Sequence, residues 1–219
     1  MRLFGAAHLS LIAATAAVAA LLALLLRRHR IPARGTRLVL GYGLAANEVA
    51  WWCFRYWHEG IHLNNLPLEL CDATLWATVA GCLTLSGPAI EFAYFAGLVG
   101  AGMALLTPDL WSPWPSYPAV YFFAAHGGEV VAISALVFGG LASLRTGALW
   151  RAFGLTVGFA TIVGAYDTVF GTNYAYLCRK PASISLFDAL GPWPVYLVTA
   201  AGVGILLYWL LWLPVRPRR

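Results

Sequence analysis

The sequence predicts an all-α polytopic membrane protein: a seven-helix transmembrane bundle with its N-terminus outside and its C-terminus inside. Composition, apolar spacing and the placement of arginines carry that reading. Of 219 residues, 61% are hydrophobic and only 11% charged, where an average globular domain carries about a quarter charged residues. Mean hydropathy is +0.73. Apolar stretches recur at lengths that suit bilayer crossing, for which about 20 residues are needed. They span residues 3–26, 38–57, 66–85, 89–106, 120–141, 149–170 and 193–213. Nothing divides them into units, so 1–219 reads as a single domain.

The first stretch is Ala-rich and carries only Arg2 before it, while a strong basic cluster follows. That order suits a retained anchor with its N-terminus outside better than a cleaved signal peptide. The cluster runs from Arg27 to Arg37 and holds Arg27, Arg28, Arg30, Arg34 and Arg37. The third and fourth stretches are separated only by Ser86-Gly87-Pro88, a tight turn. Arg145 and Arg151 flank the connection between the fifth and sixth, and Arg216, Arg218 and Arg219 follow the seventh. With seven crossings these arginines share one side, which the positive-inside rule makes cytoplasmic. The formal charge of +5 is accounted for by this anchoring and points to no nucleic-acid partner. Arginine-heavy, Ala- and Gly-rich usage suggests a GC-rich bacterial genome, hence the bacterial cytoplasmic membrane. Gly97, Gly100, Gly102, Gly154, Gly158, Ala200, Gly202 and Gly204 are expected where helices approach closely.

Polar residues are distributed unevenly in depth. His8, Asn47, Glu48, Glu69, Cys71, Asp72, His126, Glu129, Asp167 and Asn173 fall between mid-membrane and the outer face, whereas the inner half holds mainly Glu91. Ionisable groups are costly in a bilayer and face a bundle interior or a water-filled cavity, so this asymmetry predicts a polar cavity open to the outside. Structural hydrogen bonding explains any one of them taken alone. Two outer connections could cover the cavity. Residues 107–118 contain Pro108, Pro113, Pro115 and Pro118 with Trp111, Trp114 and Tyr117, and residues 171–191 are long for a bundle connection. Ser185 to Leu190 is expected to lie as a short interfacial helix. Arg179 and Lys180 are candidate contacts for a lipid phosphate or an ordinary solvated pair.

The candidate chemistry centres on Cys71 and His126, placed at matching depth on separate helices. A thiolate is the attacking form of cysteine, and a nearby imidazole can take its proton. Glu129, Glu48 or Asp167 could orient the imidazole, with Asn47, Asp72 and Asn173 lining the cavity, and Gly127-Gly128 would let a substrate chain or a helix approach. A buried cysteine is more often inert packing. His58-Glu59-Gly60-Ile61-His62 matches the H-E-x-x-H zinc pattern, but Gly60 and Asn64-Asn65 place it at a helix end, where solvated histidines are the better account. No metal and no cofactor are expected. Cys53 and Cys178 could pair as a disulfide, Cys71 could join one, and Cys82 reads as packing.

Three segments carry a resemblance over nearly the whole chain: Leu66-Pro67-Leu68-Glu69-Leu70-Cys71, the His126 helix, and Gly171-Thr172-Asn173-Tyr174 continuing to Gly191-Pro192-Trp193-Pro194. They resemble the YwaF family of bacterial integral membrane proteins. That family is similar to a eukaryotic transmembrane acyltransferase that makes polyunsaturated ether phospholipids, and more distantly to androgen-induced membrane esterases. The resemblance implies acyl transfer or ester hydrolysis on membrane lipids, phospholipid or lysophospholipid. Cys71 would form an acyl-thioester and His126 would serve as general base. The competing class is non-enzymatic: a lipid-binding protein, channel or carrier using the same cavity.

Overall fold

The computed structural model describes residues 2–110, 112–181 and 186–216. It is all-α, with helices α1 (Ala6–Arg27), α2 (Ala33–Glu59), α3 (Leu70–Thr84), α4 (Gly87–Leu106), α5 (Tyr117–Val137), α6 (Ala148–Phe170) and α7 (Val195–Trp212). Within α4, Ala93–Gly97 form a π-helical turn. Short 3-10 turns at Tyr174–Tyr176 and Leu186–Leu190 interrupt the connection between α6 and α7. The second falls within the expected interfacial helix, whose Ser185 lies outside the described residues.

Five of these helices, α1, α4, α5, α6 and α7, are long and apolar enough to cross a membrane. The other two depart from that pattern for local reasons. Helix α2 is long, but Arg34, Arg37, Glu48, Arg55 and Glu59 dilute it. Helix α3 has 15 residues and starts at Leu70, not at Leu66. A reciprocal capping box sets that start: the Glu69 side chain serves the backbone at Asp72, and Glu69 N–H donates to Asp72 Oδ2 at 2.9 Å. Cys71 is therefore the second residue of α3, in its first turn, higher than the sequence placed it.

The helices alternate in direction, as bonds at both ends record. At one end Arg37 of α2 donates to Leu83 O at the close of α3 at 2.7 Å, and Glu91 of α4 meets Arg145 and Arg151 at the entry to α6. At the other, His8 of α1 accepts the Phe4 N–H on Nδ1, so Nε2–H donates to Leu105 O in α4 at 2.7 Å. Helix α5 is central: 67% of its span is buried, against 17% for α1 and α6 and 11% for α7. It packs on α1, α2, α3 and α4, while α6 and α7 cover the far side of α4. One apolar core joins α2, α3 and α5 through Leu44, Trp51, Leu75, Val79 and Ala125. A second joins α4, α6 and α7 through Tyr94, Phe95, Leu149, Ala152 and Tyr208.

The small residues do not all pack as expected. A Cβ at Gly100, Gly102, Gly154, Gly158, Gly202 or Gly204 would meet nothing within 4 Å. Those faces point away from neighbouring helices, because a small residue permits close approach without requiring it. Close approach instead occurs at Gly41, Gly81, Gly97, Gly127 and Gly128, where an added Cβ would lie 2.6 to 3.0 Å from a neighbouring side chain. Gly127 admits Thr15 of α1 and Gly128 admits Leu44 of α2, so that pair serves helix packing.

Glu91 is 1% exposed and holds two guanidinium groups. Arg145 Nε and Nη2 donate to its Oε1 and Oε2 at 2.8 and 3.0 Å, and Arg151 Nε and Nη2 to Oε2 and Oε1, both at 2.8 Å. Two planar forks on one carboxylate tie the start of α4 to the start of α6. Glu91→Ala should lower stability by about 2 kcal/mol, since half-exposed arginines discount the roughly 3–5 kcal/mol typical of breaking a buried pair. The thermal unfolding midpoint of detergent-purified protein measures it.

Candidate functional site

Cys71, Thr74 and Thr78 follow one another at helical spacing on α3 and form one stripe. The stripe faces Glu129 of α5: Thr78 Oγ1 donates to Glu129 Oε1 at 3.3 Å, and the Thr74 hydroxyl stands beside the same carboxyl. Glu129 is 1% exposed and fits only because Gly97 of α4 lacks a side chain, since a Cβ there would lie 2.6 Å from Oε1. The π-helical turn of α4 ends at that glycine.

The same contact joins the helix of the thiol to the helix of the imidazole. Helices α3 and α5 run parallel. Cys71 precedes Thr74 by three residues, and His126 precedes Glu129 by three. At ~1.5 Å per residue Cys71 lies about 4.5 Å along α3 from Thr74 and about 10 Å from Thr78, and His126 about 4.5 Å along α5 from Glu129, toward the same end of the bundle. The two are not at equal distances from their helix starts: Cys71 is the second residue of its helix and His126 the tenth. Among the described residues, no hydrogen bond joins Cys71 to His126.

His126 is buried, and its Nδ1 lies 2.8 Å from Phe122 O. A carbonyl only accepts, so Nδ1 carries the proton and the neutral ring keeps its free electron pair on Nε2. The orienting group is thus a backbone carbonyl one turn away, with the Phe122 ring against the imidazole at 4.4 Å between centroids. Glu129, Glu48 and Asp167, expected as orienting acids, bind elsewhere. Glu48 accepts from Tyr121 Oη and Trp52 Nε1, both at 2.7 Å. Asp167 Oδ1 accepts from the Thr172 hydroxyl and from Tyr174 N–H, leaving Oδ2 buried without a partner. Asn47 Nδ2 is also buried without a hydrogen-bond partner, and Asp72 is held in the capping box. Glu48, Glu129 and Asp167 are each at most 1% exposed, so they knit the bundle and do not line an open cavity.

The start of α3 is pinned from above. Asn173 Oδ1 accepts the N–H groups of Cys178 and Arg179, and its Nδ2 donates to Arg179 O, which curls the chain into a loop. Tyr174 Oη donates to Leu63 O at 2.8 Å and accepts Leu66 N–H at 2.7 Å, and Ala175 N–H donates to Glu69 Oε2 at 2.8 Å. Trp193 and Tyr196, at the entry to α7, donate to Leu177 O and Tyr176 O of the same loop. Lys180 lies 3.9 Å from Asp188 Oδ1 and over the Tyr196 ring, whereas Arg179 is exposed. The two cations therefore have different surroundings.

The H-E-x-x-H segment does not make the helical geometry a zinc site needs. Helix α2 ends at Glu59, Gly60 has φ of 74°, and His62 lies beyond the break. His58 Nδ1 donates to Phe54 O, His62 Nε2 donates to Glu59 O, and Glu59 pairs with Arg55. All four cysteines are free thiols, so Cys53 and Cys178 form no disulfide.

Sequence reasoning missed Thr74, Thr78 and Tyr174 as parts of this arrangement. The threonines were recoverable, because they recur three and seven residues after Cys71 on one face. The Tyr174 contacts were not, because its partners lie more than a hundred residues away. Gly97→Ala should displace Glu129 and lower the unfolding midpoint, by roughly the 1–3 kcal/mol typical of overpacking. The double variant with Glu129→Ala should recover most of that loss, which a double-mutant cycle would read.

The model of the TMEM164 family matches residues 3–212. No curated protein and no solved structure matches the chain. With nearly its whole length covered, this multi-pass membrane protein belongs to the TMEM164 family.

Proposed function

We propose that the protein is a membrane lipid acyltransferase, or a lipid ester hydrolase, that works through an acyl-thioester on Cys71 with His126 as its base. The observation that supports this reading is the Thr74–Thr78–Glu129 contact, which joins the helix that carries Cys71 to the helix that carries His126. Membership of the TMEM164 family and the resemblance to YwaF proteins supply the reaction class. The whole bundle is read as seven crossings in the bacterial cytoplasmic membrane, with α2 and α3 completing the five apolar spans. The end bearing Arg37, Arg145 and Arg151 is cytoplasmic, so the N-terminus is outside and Cys71 works at the outer leaflet.

The chemistry follows from the side chains. His126 Nε2 takes the thiol proton while the Cys71 sulfur attacks the carbonyl carbon of a phospholipid ester. The tetrahedral oxyanion meets the N–H groups of Leu70 and Cys71, which at the first turn of α3 have no intrahelical acceptor. The ester C–O bond then breaks, and Nε2–H returns its proton to the departing lysophospholipid hydroxyl. A second hydroxyl, from another lysophospholipid, loses its proton to Nε2, attacks the thioester and expels the sulfur, which regains the proton. Water in place of that hydroxyl gives a free fatty acid. No cofactor enters the sequence. The Phe122 carbonyl keeps the imidazole in the tautomer these steps need.

Protein in liposomes containing acyl-labelled phospholipid and unlabelled lysophospholipid tests the reading. Cys71→Ser should abolish label transfer, and His126→Ala should slow it about 10²–10⁴-fold, the usual worth of a general base. A thiol-directed probe should label wild-type Cys71 faster than the His126→Ala protein. Undiminished transfer by Cys71→Ser would end the acyl-enzyme reading. Tyr174→Phe, which removes the clasp over the α3 start, should cost about 1–2 kcal/mol of stability and speed hydrogen exchange at Glu69 and Leu70.

A further inference from the structure

We infer that a groove between α6 and α7, at the arginine-rich end of the bundle, is a binding site for an anionic phospholipid, separate from the Cys71 site. The groove encloses about 380 Å³, within the about 300–1,000 Å³ range of ligand pockets. Its lining is almost wholly apolar: Leu149 and Trp150 on α6 face Ile205, Leu206, Trp209 and Trp212 on α7. Trp150, Leu206 and Trp209 are exposed, so the groove opens sideways, where acyl chains lie.

Charge beside the groove identifies the occupant. Gly147 lines the groove, and a Cβ there would lie 3.2 Å from Arg151 Nη1. The Arg151 guanidinium thus lies next to the groove's lining. Arg145 stands beside it on the shared Glu91, and two cations against one carboxylate leave one positive charge in surplus. Arg151 Nη1 donates to Thr146 O at 2.8 Å, and the Arg145 and Arg151 side chains remain 53% and 42% exposed, so their charge stays open to the surroundings. Arg216, exposed, follows Trp212 by four residues. An acyl chain along the tryptophan-lined groove sets a lipid phosphate beside these arginines, and a headgroup with net negative charge matches the surplus. Tryptophans beside arginines also suit the interfacial layer, where headgroup and chain meet. Glu91 then does two things: it ties α4 to α6, and it holds both guanidinium groups at the end of the bundle where the groove lies.

Full-length protein in detergent, titrated with phosphatidylglycerol or with phosphatidylcholine and read by native mass spectrometry, tests the site. Phosphatidylglycerol should bind about fivefold more tightly, the factor set by one surplus cation near a membrane surface. Leu206→Trp, at an exposed position, should fill the groove and abolish tight binding while leaving the gel-filtration profile unchanged. The thermal stabilisation that phosphatidylglycerol confers should shrink in 1 M salt, where the Debye length is about 3 Å. Equal affinity for the two lipids, or Leu206→Trp binding phosphatidylglycerol as wild type does, would overturn the inference. Cys71→Ser should retain the site in full.

Discussion

A carboxylate inside a membrane bundle has no water to satisfy it, and this constraint organises the structure. Glu48, Glu91, Glu129 and Asp167 each take a donor from another segment, and each match fixes a layer. Glu91 takes two arginines and joins α4 to α6. Glu129 meets Thr78 and joins α5 to α3. Glu48 takes Tyr121, whose ring stacks on Trp51 at 4.3 Å, and joins α2 to α5. Asp167 and Glu69 fasten the loop after α6, one at each of its contacts. Apolar helices slide and rotate against one another at little cost in lipid, so these polar matches carry much of the specificity of the packing.

The same matches explain why the reactive candidates lie where they do. Helix α3 is short because its start is held by Glu69 and Asp72, and that start is held in turn by the Tyr174 loop. Cys71 consequently occupies a first helical turn, where free N–H groups gather, and not a mid-span position where a thiol would be mere packing. His126 owes its tautomer to its own helix, through the Phe122 carbonyl, so no third side chain is required.

Much of this was legible in the sequence. The helix positions follow from apolar length, and the α2 and α3 departures follow from local charge and from a Glu-x-x-Asp cap that a hydropathy reading passes over. The Asn173-Tyr174 and Gly191-Pro192-Trp193-Pro194 segments stood out in the sequence, and the structure gives them a physical role: Asn173 curls the loop, Tyr174 clasps the α3 entry, and Trp193 ties in α7. What the sequence could not disclose were partners set by tertiary contact alone. Glu48, Glu129 and Asp167 looked like cavity walls or orienting acids because a list of depths does not say which donors face them. Gly100 and Gly154 looked like contact points because smallness is legible and facing is not.

Acid-quenched protein, after brief exposure to acyl-labelled phospholipid, offers the most direct measurement, by mass spectrometry of the peptide that contains Cys71. The account predicts one acyl mass on Cys71, removed by neutral hydroxylamine as a thioester is, and greatly reduced in His126→Ala. Label transferred to lysophospholipid or water while Cys71 stays unmodified at every quench time, even when acceptor is withheld, would contradict it.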